Sequence, residues 1–293
     1  MEWILSFLVS VVRQTTPILF VALGVLIIQT SGIMEMASEG KMLLSCFITA
    51  ITTFSTGSVW LGIINGTVIT GLIGLVYIWV IQEFYVDQII IGLSFNTLAL
   101  GFTSFLHRQH FSELMDSAPI LPSFTFTIAG FSMPVYVGFL MVLLVSLFIK
   151  RTNLGLKIRS VGEYPQAAES VGLSVKRIRY WAGFLGSLFI GFGGAFFTLG
   201  VTNVFAENIT NGRGYIAMTA VTFGKFTPIG TLASVVLFGA GDALQYRLQA
   251  ANNLIPHQFA RMIPYLMTVI ALVVFARNPK SPSSMGQPYR KSR

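Results

Sequence analysis

Few side chains in this sequence can do chemistry, and they stand far apart in an apolar chain. Glu39 precedes Gly40 and Lys41, Asn96 lies in the middle of an apolar run, and Asp242 follows Gly239, Ala240 and Gly241. A charge or amide left bare in hydrocarbon is costly, so each of these must face a cavity or take a partner. The Asn96 amide donates and accepts at once, which suits either a polar solute or a hydrogen bond to a neighbouring helix. Glu39 can line a pathway or pair with Lys41, and Arg213 or Arg247 is the expected partner of Asp242. Phe223, at the end of a short apolar piece, can stack on a flat ring, although in a chain with 25 Phe most such rings pack.

Catalytic signatures are missing. The chain holds no GxxxxGK[ST] phosphate loop, no HExxH and no GxSxG. His107 and His110 are three apart with no third ligand at readable spacing, so no metal site is indicated. The single cysteine, Cys46, lies in an apolar run and permits no intramolecular disulfide. The sequence implies no catalytic residue, no metal and no cofactor. If ATP drives this protein, another chain must bind it.

The basic residues are unevenly placed. Of 19 Lys and Arg, seven (Lys150, Arg151, Lys157, Arg159, Lys176, Arg177 and Arg179) stand in residues 150–179. Five more, Arg277, Lys280, Arg290, Lys291 and Arg293, stand in the tail, while residues 109–132 carry only Glu113 and Asp116. That is positive-inside asymmetry, with 150–179 and the tail expected in the cytoplasm and the Glu113 segment outside. The formal charge of +8 is therefore a topology signal, and a nucleic-acid partner is excluded. Within the loop, Pro165 to Val171 reads as a short helix: proline suits the first helical position, and Gly172 can supply a left-handed stop.

These residues must be positioned by membrane helices. Hydrophobic types make up 54% of 293 residues and charged types 10%, with mean hydropathy +0.73. A soluble domain would carry about a quarter charged residues. The pattern predicts one membrane domain over 1–276 and a basic cytoplasmic tail over 277–293. The N-terminal stretch to Gln14 lacks the features of a signal peptide and reads as an anchor or interfacial helix. Apolar spans follow at Thr15–Gln29, Lys41–Ser55, Gly57–Ile81, Ile89–Leu106, Met133–Ile149, Tyr180–Thr202, Gly214–Gly224, Pro228–Ala243 and Ala260–Phe275. The polar break at Thr30–Gly40 makes either a hairpin or one discontinuous helix, and Gly214–Gly224 is short enough to be re-entrant. Loop and tail can share one side only if an even number of crossings separates Arg179 from Arg277. The expectation is an all-α polytopic helix bundle of eight or nine crossings, with a broken or re-entrant element.

Four stretches in the chain resemble one family. Gly155-Leu156-Lys157-Ile158-Arg159-Ser160-Val161-Gly162-Glu163, followed by Pro165, Ala167-Ala168-Glu169 and Gly172, resembles the coupling loop of bacterial ABC importer permeases. The branch is the one that handles branched-chain amino acids, sugars and nucleosides. Glu39 to Leu44, Asn96 to Gly101 with Thr103-Ser104-Phe105, and Gly212 to Ala217 match in order, and Gly286-Gln287-Pro288-Tyr289-Arg290 is similar to the nucleoside branch.

The resemblance implies a permease of the bacterial plasma membrane, with a short cytoplasmic coupling helix that moves with an ATP-binding subunit. It assigns that contact to Gly162, Glu163, Pro165, Ala167, Ala168, Glu169 and Gly172. A second homologous permease, an extracytoplasmic substrate-binding protein and a small-molecule solute, a nucleoside foremost, are further implied partners beside the lipid bilayer. Glu39, Asn96 and Phe223 become candidates for the substrate pathway, with Asp242 and Arg213 as structural charges. A simple sugar or other small polar solute is the alternative cargo. The rival from another class is an ion-coupled secondary transporter, for which Glu39 and Asp242 are the serious acids.

Overall fold

Long apolar runs satisfy their own backbone N–H and C=O groups by forming helices, and the described residues do so along most of their length. The computed structural model describes residues 2–111, 120–123, 127–128, 131–251, 262, 266–267, 269 and 281–289. In chain order the helices are α1 (Glu2–Thr30), α2 (Ser38–Thr56), α3 (Val59–Phe84) and α4 (Gln88–Phe111). Next come α5 (Met133–Arg151), α6 (Asn153–Glu163), α7 (Pro165–Ser170), α8 (Val175–Phe196), α9 (Arg213–Phe223) and α10 (Pro228–Ala251). A π-helical turn, Phe197–Thr202, extends α8, and two short antiparallel strands, Thr127–Ile128 and Phe131–Ser132, precede α5. Among the described residues five helices are long and apolar enough to cross a membrane: Ser6–Thr30, Val59–Phe84, Gln88–Gln109, Met133–Arg151 and Val175–Thr202.

Small residues decide where these helices touch. A methyl group on Gly62 or Gly66 of α3 would sit 2.0 Å from the hydroxyl of Thr53 or Thr49 of α2 and 3.1 or 3.2 Å from the Thr49 or Ser45 carbonyl, so the two helices pack closely there. Gly74 of α3 meets Ser187 of α8 in the same manner, and Gly24 of α1 lies against the Gly186 carbonyl. α1 is the central staff. Ile18, Leu19, Val21, Leu23, Val25 and Leu26 are fully buried among α8, α9 and α10.

Contacts between helix ends define two poles. At one, Arg179 of α8 reaches Ser31 after α1, Lys176 pairs with Glu83 of α3, and Met34 donates to Gln88 of α4. At the other, Arg13 of α1 donates to the Gly200 carbonyl, Arg108 pairs with Glu207, and Arg247 donates to Ser6. α1 and α8 are therefore antiparallel, and α5 delivers the chain to the first pole, where α6 and α7 lie.

The structure revises several boundaries. The N-terminal stretch is no separate element, because α1 runs unbroken through Pro17 to Thr30. Proline forfeits one ladder hydrogen bond there, which packing against α8 and α10 outweighs. Residues 31–37 then turn back into the protein as buried irregular backbone, and α2 starts inside the bundle. Non-helical chain is tolerated at such depth only when protein surrounds it. Residues 150–163, read as loop, are helical, and α10 runs past Ala243 to Ala251. The span predicted over Ala260–Phe275 lies almost wholly outside the described residues.

Candidate functional site

The first pole carries a helical hairpin whose geometry follows from its sequence. Thr152 caps α6 by accepting from the Gly155 N–H at 3.0 Å, and Ile158, Val161 and Gly162 form its buried face. Leu154 and Leu156 point outward instead. Tyr164 breaks the helix, and Pro165 opens α7 at its first position. Gly172, at φ +85°, closes it: the Gly172 N–H meets the Glu169 carbonyl at 2.8 Å and the Leu173 N–H meets Ala168 at 3.0 Å. Ala168 is buried while Ala167 is exposed, so α7 presents one face to its own protein and one to solvent. Between α6 and α7 lies an apolar groove of about 630 Å³ lined by Leu156, Tyr164, Ala167, Val171 and Leu173, with Glu163 at its edge.

Residues 281–289 lie along the back of this hairpin. Ser284 donates through both its N–H (3.1 Å) and its Oγ (2.6 Å) to the Gly162 carbonyl, and Ser283 Oγ donates to Glu163 at 2.9 Å. The Gly286 N–H reaches the Gly32 carbonyl at 3.1 Å. Tyr289 buries its ring among Val161, Ala168 and Val175 and donates its hydroxyl to the Glu169 carboxylate. Burial, then the Glu169 hydrogen bond and charge, push the Tyr289 phenol up to about 12.

A second polar cluster occupies the middle of the bundle. Glu39, in the first turn of α2, accepts from Thr210 Oγ1 (2.5 Å), the Gly212 N–H (2.9 Å) and the Gly214 N–H (2.6 Å). It thus caps α9 from another helix, supplying negative charge to otherwise orphaned donors. Asn96 of α4 uses its whole amide: its oxygen accepts from the Gly40 N–H at 2.8 Å, and its nitrogen donates to the Met36 carbonyl (2.8 Å) and Tyr215 hydroxyl (2.7 Å). Arg213 stands 3.3 Å from Asp242, donates to the Tyr246 hydroxyl and lies over the Phe197 ring. Phe223 stacks on Phe238 with centroids 6.0 Å apart.

Glu39, Asn96, Arg213 and Asp242 thus lie around the buried starts of α2 and α9, whereas Phe223 lies at the far end of α9. The coupling-loop residues form a separate group at the first pole. Lys41 pairs with Glu35 at 2.8 Å, both fully buried, and sits 4.4 Å above the Tyr77 ring, so Glu39 has other partners. Sequence reasoning missed Glu35 as that partner, and it missed Arg179, Ser283, Ser284 and Tyr289 as partners of the loop. No local signal marked Glu35, because Glu39 stands nearer Lys41 in sequence and the choice between them depends on how residues 31–37 fold. Among the described residues no three His, Cys, Asp or Glu side chains gather to hold a metal.

Fold and site together define a polytopic helical membrane protein, built around broken buried elements and bearing a surface hairpin at one pole. The chain belongs to the family of branched-chain amino acid transport system permease components, whose model matches residues 7–272. It is 30% identical to the guanosine ABC transporter permease NupQ of Bacillus subtilis over 99% of this chain and 98% of that one. Identity to the nucleoside ABC transporter permease NupC of Lactococcus lactis is 28%, over 95% of both chains. TsgC13 of Haloferax volcanii, provisionally named a glucose ABC transporter permease, is 29% identical over 99% of both. No solved structure matches the chain.

Proposed function

We propose that this chain is the membrane-spanning permease subunit of an ATP-driven importer for nucleosides, and that α7 is the element through which ATP hydrolysis moves it. The observation that carries the reading is the hairpin itself. A six-residue helix with a proline start and a left-handed stop is held at the edge of the bundle beside an apolar groove, with small and apolar side chains turned outward. Such a surface fits an ATP-binding subunit. Rigid-body motion of α7 on ATP closure would then reach the spans through α6, α5 and α8.

The same reading orients the protein with the hairpin pole and tail in the cytoplasm, and it divides the chain into a membrane domain (1–276) and a basic tail (277–293). It gives eight or nine crossings, with α2 and α9 as partial ones. A second permease and an extracytoplasmic binding protein complete the importer. Glu39 and Asn96 are assigned to hold the wall of the solute path, since their polar atoms bind other parts of the chain. Phe223, stacked on Phe238, belongs to that wall as well. A secondary transporter needs acids available for ion coupling. Glu39 and Asp242 are both engaged, which supports the ATP-driven reading.

The test is uptake of radiolabelled guanosine, ribose and leucine into cells carrying this chain with its neighbouring subunits. Each solute is measured with and without ATP depletion at a maintained proton gradient. Guanosine uptake that requires ATP is expected. ATP-dependent uptake of ribose or leucine instead would keep the class and discard the nucleoside assignment, and uptake without ATP would overturn the class.

A further inference from the structure

α7 alone is poorly anchored for a part that must transmit force. It has six residues, lies between the break at Tyr164 and the left-handed Gly172, and buries only Pro165 and Ala168. A load on its outer face would swing it about those two ends instead of moving the bundle. What opposes the swing comes from the far end of the sequence. Tyr289 fills the space behind Ala168 and holds Glu169, the last carboxylate of α7, while Ser283 holds Glu163, the last residue of α6. The carboxylates on either side of the Tyr164 break are thus fastened by one nine-residue segment.

The same segment reaches a third place. Gly286 bonds to Gly32, the turn at the end of α1, and Ser284 bonds to Gly162. A methyl on Gly162 would lie 2.0 Å from the Thr30 carbonyl, so the end of α6 already rests on the end of α1. Arg179, 1% exposed, completes the joint: it donates to Ser31 at 3.2 Å and lies beneath the Tyr289 ring, 5.9 Å from its centroid. Beyond Gly32 the chain enters the buried 31–37 stretch, which leads to Glu35, Lys41 and the cap that Glu39 places on α9.

We infer that residues 281–289 are a clip that makes the coupling hairpin and the cytoplasmic end of α1 one mechanical body, and that Tyr289 and Ser283 are positioning residues for coupling. The clip stays closed through the transport cycle, and motion of α7 passes through it to α1 and the buried break. This rests on the reading of α7 as the coupling helix, and the two can fail separately.

The experiment uses the assembled importer in proteoliposomes and reads guanosine transported per ATP hydrolysed, beside the amount of ATP-binding subunit that co-purifies. Tyr289→Ala is expected to lower that ratio about fivefold, the scale of losing one well-placed hydrogen bond and its packing, with assembly unchanged. Tyr289→Phe, which keeps the ring, should fall between it and wild type. An unchanged ratio in an assembled Tyr289→Ala complex overturns the clip. Should that variant fail to assemble, a second test stands: Ser283→Cys and Glu163→Cys in a Cys46→Ala background, bridged by a short bis-methanethiosulfonate. Transport after bridging equal to or above that of the same variant before bridging supports a clip that stays closed, and transport lost on bridging overturns it. If Ala167→Arg on the outer face of α7 leaves both transport and subunit binding intact, the reading of α7 fails, whatever Tyr289 does.

Discussion

In the middle of the bundle and at its hairpin pole, a glutamate gathers donors from a distant part of the chain, yet the surroundings differ. Glu39 is buried and serves two backbone N–H groups and a threonine, of which Thr210 and Gly214 are buried and Gly212 half-buried. Glu163 and Glu169 stand at the surface, one exposed and one half-buried, and serve a serine and a tyrosine of the tail. The first arrangement holds the fold together, because removing the acid strands donors in a dry place. The second can be broken and leave a folded protein, because water replaces the lost partner. On the proposed function, stability is concentrated at one cluster and transmission at the other.

Variants can break or sharpen that contrast. The largest effect is expected at the centre. Glu39→Ala should cost about 3–5 kcal/mol by leaving the buried Thr210 hydroxyl and Gly214 N–H and the half-buried Gly212 N–H unpaired, and the protein in detergent should lose its monodisperse folded form. Lys41→Met should be similarly damaging at about 3–5 kcal/mol, whereas the double variant Lys41→Met, Glu35→Leu should recover most of the thermal midpoint, since an isolated buried charge costs more than an apolar pair. A double variant no better than the single would mean that the pair does more than neutralise itself.

Next in size is the helix seam. Gly66→Ala puts a methyl 2.0 Å from Thr49 Oγ1 and 3.2 Å from the Ser45 carbonyl, so α2 and α3 must part. A loss of about 1–3 kcal/mol in detergent unfolding is expected. At the hairpin pole stability should change least and transport most. Gly172→Val forces a β-branched residue to φ +85° in open space, at about 1–2 kcal/mol, and should uncouple transport with the chain still inserted. Glu169→Arg should do the same by abolishing the Tyr289 contact. Normal uptake in both would remove the pole from the coupling path.

The smallest effect concerns pH. With its phenol raised from 10 to about 12, Tyr289 keeps its proton longer in the folded protein than in the unfolded chain. Its contribution is complete below pH 10 and fades as pH rises through about 12. Protease protection of the tail should therefore stay flat across the neutral range and fall only in strong alkali. A neutral midpoint would point to another titrating group.

Much of this was legible in the sequence. Five of the spans, the proline start and glycine stop of α7, and the small-residue face of α3 are local features, set by periodicity and by what one residue type can do at one φ. The pairing of polar groups was only half legible. That Asp242 needed a cation followed from burial, and Arg213 was one of two named partners. That Lys41 would take Glu35 instead of Glu39 depended on residues 31–37 folding back into the protein, which no periodicity reports. Tyr289 shows the limit most clearly: nothing local to a basic tail says that its ring returns to α7.

The buried break after α1 also bears on how the chain is made. Glu35 and Lys41 emerge from the ribosome early, but what seals Glu39 beside them comes 171 to 175 residues later, at Thr210 and Gly214. Asn96, which ties the start of α2 to α4, comes 56 residues after Gly40. Synthesis is vectorial and side chains of this kind do not rest in lipid unaccompanied. The first third of the molecule must therefore wait at the insertion machinery, half-assembled, until α9 arrives to complete it.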